Sequence, residues 1–156
     1  MTMGAIQIHT IGFTRKSAKT FFGLLESAGV RRVVDVRLNV TSQLAGFAKQ
    51  ADLRYFLGAI LKVDYLHLKE AAPTKALLDG FKKGALSWEE YAEGYRTLLE
   101  ERHASAFLRE TIRSGDCFLC SEHEPDRCHR RLLAEYCAAV FGDVGVFHLI
   151  SGRNDS

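Results

Sequence analysis

The chain has 156 residues, with 21 Lys+Arg against 19 Asp+Glu and a formal net charge of +2. That length suits one domain with a sizeable core, and 47% hydrophobic against 26% charged residues excludes intrinsic disorder. The charge balance excludes a polybasic, histone-like binder but allows a local basic patch. No apolar run approaches the ~20 residues of a membrane span, and the opening MTMGAIQIHTIGF has neither a basic n-region nor a cleavage pattern. A cytoplasmic protein with no membrane partner is therefore expected. The four cysteines (Cys117, Cys120, Cys128 and Cys137) are too few for a secreted disulfide scaffold and are read as reduced thiols.

Taken in order, Ile6 to Ile11 reads as a strand ending at Gly12. Ser17 caps a helix with Phe21, Phe22, Leu24, Leu25 and Ala28 at helical spacing, stopped by Gly29. Val33 to Val36 is a second strand, and a polar loop then leads to a helix carrying Leu53, Phe56, Leu57, Ile60 and Leu61. Tyr65 to Leu68 is a third strand. From Thr74 to Arg113 no strand signal appears; two or three helices are expected, with Trp88, Tyr91, Tyr95, Leu98 and Leu99 as an apolar stripe belonging to the core.

Cys117 to Cys120 forms the fourth strand. Pro125 suits a helix start, since its missing N–H would be unpaired there, and that helix runs through Leu132, Leu133, Tyr136 and Val140 to Gly142. Val144 to Ile150 is the last strand, and 151–156 reads as a frayed tail after a single domain over 1–150. The alternation implies an α/β fold: a mostly parallel sheet of about five strands flanked by helices, with a helical insert before the fourth strand.

Ligands of open parallel sheets bind beyond the carboxyl ends of the strands. Gly12 and Thr14, Asp35 and Arg37, His67 and Glu70, and Cys120, Ser121 and Glu122 are all expected on that rim. The densest stretch is CSEHEPDRCHRR, from Cys120 to Arg131. At ~100° per residue His129 shares the buried stripe of Leu133, Tyr136 and Val140; Arg130 borders it, while Arg127 and Arg131 face solvent. His129 thus enters the cleft at a helix N-terminus, where free N–H groups and the macrodipole favour an anion or a thiolate at Cys128.

The pieces HTIGFTRKS, VVDVRLN with GFAK, YLHL and CSEHEPDRCHRRLLAEY stand in this order along nearly the whole chain. In them the chain resembles the domain-of-unknown-function family number 488, a set of small α/β proteins. Phe13 stands where the family's TIGHS form has histidine. The resemblance implies an intracellular single-domain protein and lends no settled activity.

Three functional readings follow. The first is a hydrolase or group transferase acting on a phosphate- or carboxylate-bearing small molecule or nucleotide, without organic cofactor because GxGxxG and Walker A patterns are absent. Glu122 or His129 moves a proton, and Cys120 or Cys128 supplies a thiol or shapes the pocket. Arg37 and Arg130 hold the anion, and Asp35, Gly12, His67, Ser121 and Arg127 complete the binding set.

The bland alternatives are capping or ion pairing for Glu122 and the arginines, and a satisfied strand-end side chain for His67. Cys120 and Arg127 stand one residue too far apart for a phosphatase-type loop. The second reading is a nucleic-acid module using the Arg127–Arg131 patch with Arg31 and Arg32. The third is a thiol or metal sensor, zinc being the metal and Cys120, Cys128 and His129 its ligands. Against zinc, Cys117 and Cys120 face opposite sides of a strand, and Cys128 and His129 point about 100° apart on a helix.

Overall fold

The computed structural model describes residues 5–41, 46–122 and 125–151. Five strands form one sheet: β1 (Ile6–Gly12), β2 (Arg32–Asp35), β3 (Asp64–His67), β4 (Asp116–Cys120) and β5 (Val144–Leu149). Their order is β3-β2-β4-β1-β5, and every pairing is parallel. The expected α/β architecture is what the chain adopts, with strand ends within a residue or so of those expected. The last residues of the expected frayed tail, 152–156, lie outside the described residues.

Helix α1 (Ala18–Ser27) is capped by the Ser17 hydroxyl, which accepts from the Thr20 N–H. Together with α2 (Gln50–Phe56) it covers one face of the sheet, where Phe21, Phe22, Leu25, Leu53 and Leu57 meet Ile11, Val33, Cys117 and Leu119. The helix begun by α2 widens into a π-turn at Leu57–Leu61, which leaves Ile60 57% exposed rather than on the expected apolar stripe.

The insert between β3 and β4 forms three helices: α3 (Lys75–Lys82), α4 (Trp88–Glu101) and α5 (Ala104–Thr111). A capping box between Ser87 and Glu90 starts α4, whose Tyr91, Tyr95 and Leu99 pack in the core as the stripe predicts. These helices share the opposite face with α6 (His129–Phe141).

Pro125 does not begin α6. The N–H of Cys128 bonds the Pro125 carbonyl in a tight turn, and the helix starts one residue later, with Cys128 as its N-cap. Its buried side is also rotated from the expected stripe. Arg130, Leu133, Ala134 and Cys137 are buried, whereas Tyr136 and Val140 are half-buried.

Right-handed crossovers give this topology a consequence. The chain leaves β2 towards β3 on the α1/α2 face, but leaves β4 towards β5 on the α6 face. Neighbouring strands whose connections part to opposite faces open a crevice at their carboxyl ends. Here it lies between the ends of β2 and β4, with the end of β1 on the far side of β4.

Candidate functional site

The end of β2 is organised by Asp35, which is fully buried. Its Oδ1 accepts from the Arg37 backbone N–H at 3.2 Å and Nε at 2.8 Å, and its Oδ2 from Arg37 Nη2 at 2.7 Å and the Tyr65 hydroxyl at 2.6 Å. The pair is bidentate, the geometry in which a guanidinium matches a carboxylate best. Burial, and then the Asp35 carboxylate, raise the pKa of the Tyr65 phenol and keep it a donor. His67 bonds the Arg37 carbonyl through Nε2 at 3.0 Å.

Arg37 is itself only 3% exposed, with its guanidinium carbon 5.4 Å from the centre of the Phe13 ring. Phe13 thus acts as a cation–π platform. Arg37 also lines a cleft of about 470 Å³ at this rim, and its Nη1 is buried without a hydrogen-bond partner among the described residues.

The end of β4 is held from behind. The Thr14 N–H and hydroxyl bond the Ser121 carbonyl at 3.0 and 2.5 Å. Arg130, which has no exposed surface, donates through Nη1 to the Glu122 carbonyl at 2.5 Å and to Cys120 Sγ at 3.2 Å. Its Nε donates to the Thr10 hydroxyl at 3.3 Å. Gly12 lies so close to this turn that a Cβ there would sit 1.5 Å from the Glu122 carbonyl oxygen.

The cleft is lined by Arg37, Cys120, Ser121, Glu122, Arg127, Cys128 and His129 from the expected set. Asp35, Gly12, His67 and Arg130 stand behind it and position the lining. Sequence reasoning missed the other wall: Leu38, Asn39 and Pro73, with Leu78, Phe81, Lys82 and Tyr91 from the helical insert. Asn39 had a signal, as the last residue of VVDVRLN; the insert residues had none, because nothing local shows that α3 and α4 fold over this rim. Two more arginines of the basic patch are occupied elsewhere. Arg131 bonds Glu135 and the Asp126 carbonyl, and Arg32 forms an ion pair with Asp116.

Cys120 and Cys128 stand sulfur to sulfur, because the short loop after β4 returns the α6 N-cap to the strand end it left, with Cα atoms 7.7 Å apart, wider than a disulfide spans. Cys117 and Cys137 are free and buried, and burial raises both thiols, Cys137 to about 12, so neither ionises near neutrality. Among the described residues no group of three or more His, Cys, Asp or Glu is placed to hold a metal ion. The ligand set considered for zinc is engaged otherwise: His129 Nε2 bonds the Val36 carbonyl at 2.7 Å.

Burial drives the His129 imidazole down to about 4, with Arg130 acting in the same direction, against the Val36 bond that favours the proton. The ring is therefore neutral, and Nε2–H donates to the strand as a strut between α6 and β2. An unfolded chain protonates this histidine below about 6.5, the folded chain only near 4. Its contribution to stability is complete above pH 6.5 and is lost as pH falls towards 4, by about 3 kcal/mol at most.

Denaturant titrations at pH 7 and pH 4.5 should show that loss, and His129→Gln should lessen it. Some dependence should remain, because burial also lowers His9 and His148. An unchanged pH profile in the variant would contradict the strut.

A family model described as "Domain of unknown function DUF488" matches residues 17–137. No curated protein and no solved structure matches the chain.

Proposed function

The chain belongs to the family described as Domain of unknown function DUF488, and from that premise we propose that its cleft binds a small phosphate- or carboxylate-bearing molecule and acts on it. One observation carries this reading. Arg37 is a buried cation on the cleft wall, and among the described residues Nη1 has no acceptor although Asp35 satisfies the other side of the same guanidinium. A buried N–H without a partner costs about 1–3 kcal/mol, so an anionic oxygen entering the cleft regains that energy. Arg127, exposed on the same wall, adds charge at the entrance.

For chemistry, Glu122 is the group to bet on. It is an exposed carboxylate in the cleft, held by its own backbone carbonyl to the buried Arg130, so its base is fixed while its side chain is free to exchange protons with a ligand. Hydrolysis or group transfer assisted by this carboxylate is the reaction class proposed, and the cytoplasm, where such anionic metabolites are made, is the compartment. The nucleic-acid reading is weaker: Arg130 is sealed inside and Arg131 and Arg32 are paired, which removes three of its phosphate contacts.

Inorganic phosphate and acetate test the binding step. Either anion should raise the unfolding midpoint saturably, as a ligand of the native state does. The gain should survive moderate salt, since one pocket anion lacks the steep salt dependence of multiple phosphate contacts. Glu122→Gln should keep that stabilisation and lose turnover. If neither anion shifts the midpoint at any concentration, the reading falls.

A further inference from the structure

The cleft has two kinds of lining. Arg37 with its unpartnered Nη1, Ser121 and Glu122 come from the strand ends, whereas Leu78, Phe81 and Tyr91 form an apolar shelf contributed wholly by the insert. Such a shelf has no use for a bare oxyanion, for which the strand-end groups suffice. Its volume of about 470 Å³ falls in the range of pockets that enclose whole organic ligands.

The shelf is also built to keep its shape. Phe81 and Tyr91 stack with centroids 4.9 Å apart at 29°, and Trp88 continues the stack on Tyr91 at 5.7 Å and 29°. The segment leading into α3 is pinned from below: the Tyr95 hydroxyl bonds the Ala71 carbonyl at 2.6 Å, and Arg102 Nη1 bonds the carbonyls of Glu70 and Ala72 at 2.7 Å each. Phe81 and Leu78 nevertheless keep part of their surface open on the cleft side. Lys82 stands at its rim.

We propose that the ligand is a ring-bearing organic anion: a phosphate or carboxylate at Arg37 carried by a flat unsaturated body that lies on the Leu78–Phe81–Tyr91 shelf. This rests on the anion reading of the cleft and adds the class of molecule that bears the anion. Two features favour a ring over a flexible alkyl chain. A flat body continues the offset stack already present, at the 4.5–7 Å centroid spacing aromatic pairs prefer. It also loses little conformational freedom on binding. The helical insert, which the sheet itself does not require, thereby acquires a purpose: it supplies the specificity wall beside the strand ends.

Calorimetric titration of the full chain with inorganic phosphate and with phenyl phosphate is the test. Phenyl phosphate is expected to bind about tenfold or more tightly than phosphate, from six added carbon atoms at modest efficiency each. Leu78→Ser, at a side chain outside the main core, should bring the two affinities to within about threefold and leave that of phosphate unchanged. Phe81→Ala should do the same, judged only if its unfolding remains cooperative. Equal affinities in the unaltered protein would overturn the ring-bearing class while sparing the anion site. A phenyl advantage indifferent to Leu78→Ser and Phe81→Ala would overturn the shelf. Failure of both probes to bind would remove the anion reading, and this inference with it.

Discussion

Arg37→Met should cost about 3–5 kcal/mol of folding stability, the usual penalty for stranding one member of a buried ion pair. Asp35 has no exposed surface, and without the guanidinium it keeps, among the described residues, only the Tyr65 hydroxyl and one backbone N–H as donors. The carboxylate cannot move to water, since β2 lies between β3 and β4. Arg37→Lys should fall between: it retains charge but cannot make the two parallel bonds from Nε and Nη2.

The double variant Asp35→Asn with Arg37→Met separates folding from binding. Replacing both partners removes the unpaired charge, so most of the lost stability should return, a coupling that the two single variants and the pair measure directly in urea. Stabilisation by phosphate should not return with it. An Arg37→Met protein that unfolds at the parental urea midpoint would show that the pair does not anchor the end of β2.

Gly12→Ala adds a single methyl group and should nevertheless be strongly damaging. A Cβ at this position meets the Glu122 carbonyl oxygen at 1.5 Å, its carbon at 2.6 Å and Arg130 Nη1 at 2.8 Å. The obstacle is backbone, which cannot rotate aside as a side chain can, so the cost should exceed the about 1–3 kcal/mol typical of overpacking. Relief requires the turn after β4 to move. That movement breaks the Arg130–Glu122 and Thr14–Ser121 bonds and displaces Ser121 and Glu122 from the cleft wall.

Reduced midpoint and reduced phosphate affinity should therefore appear together. Gly23→Ala in α1 is the control: nothing lies within 4 Å of its Cβ, and in a helix the change should stabilise by roughly 0.5–1 kcal/mol. A Gly12→Ala protein as stable as the parent would refute the close approach of β1 and the β4 turn.

Much of this was written locally. β-branched runs at 6–11, 33–36 and 144–150 and the helical spacing of Phe21, Phe22 and Leu25 depend on neighbours in sequence, so strands, helices and the parallel class could be read without coordinates. The rim followed from topology: any residue just past a parallel strand shares one edge of the sheet, which is why Arg37, Ser121, Glu122 and His129 were foreseeable together.

Which way each side chain turns on arrival was not written locally. Arg130 and Arg37 look alike in sequence, yet Arg130 lies wholly inside, clamping Thr10, Cys120 and Glu122, whereas Arg37 keeps one N–H unpaired at the cleft. His129 became a neutral strut because β2 presented the Val36 carbonyl at its ring, and Cys128 met Cys120 because a turn at Pro125 delayed the helix. The apolar wall of Leu78, Phe81 and Tyr91 depended on where the insert docked. Local propensity reports what a segment becomes; burial, pairing and the second wall of a cleft are set by contacts between segments distant in the chain, and those exist only after folding.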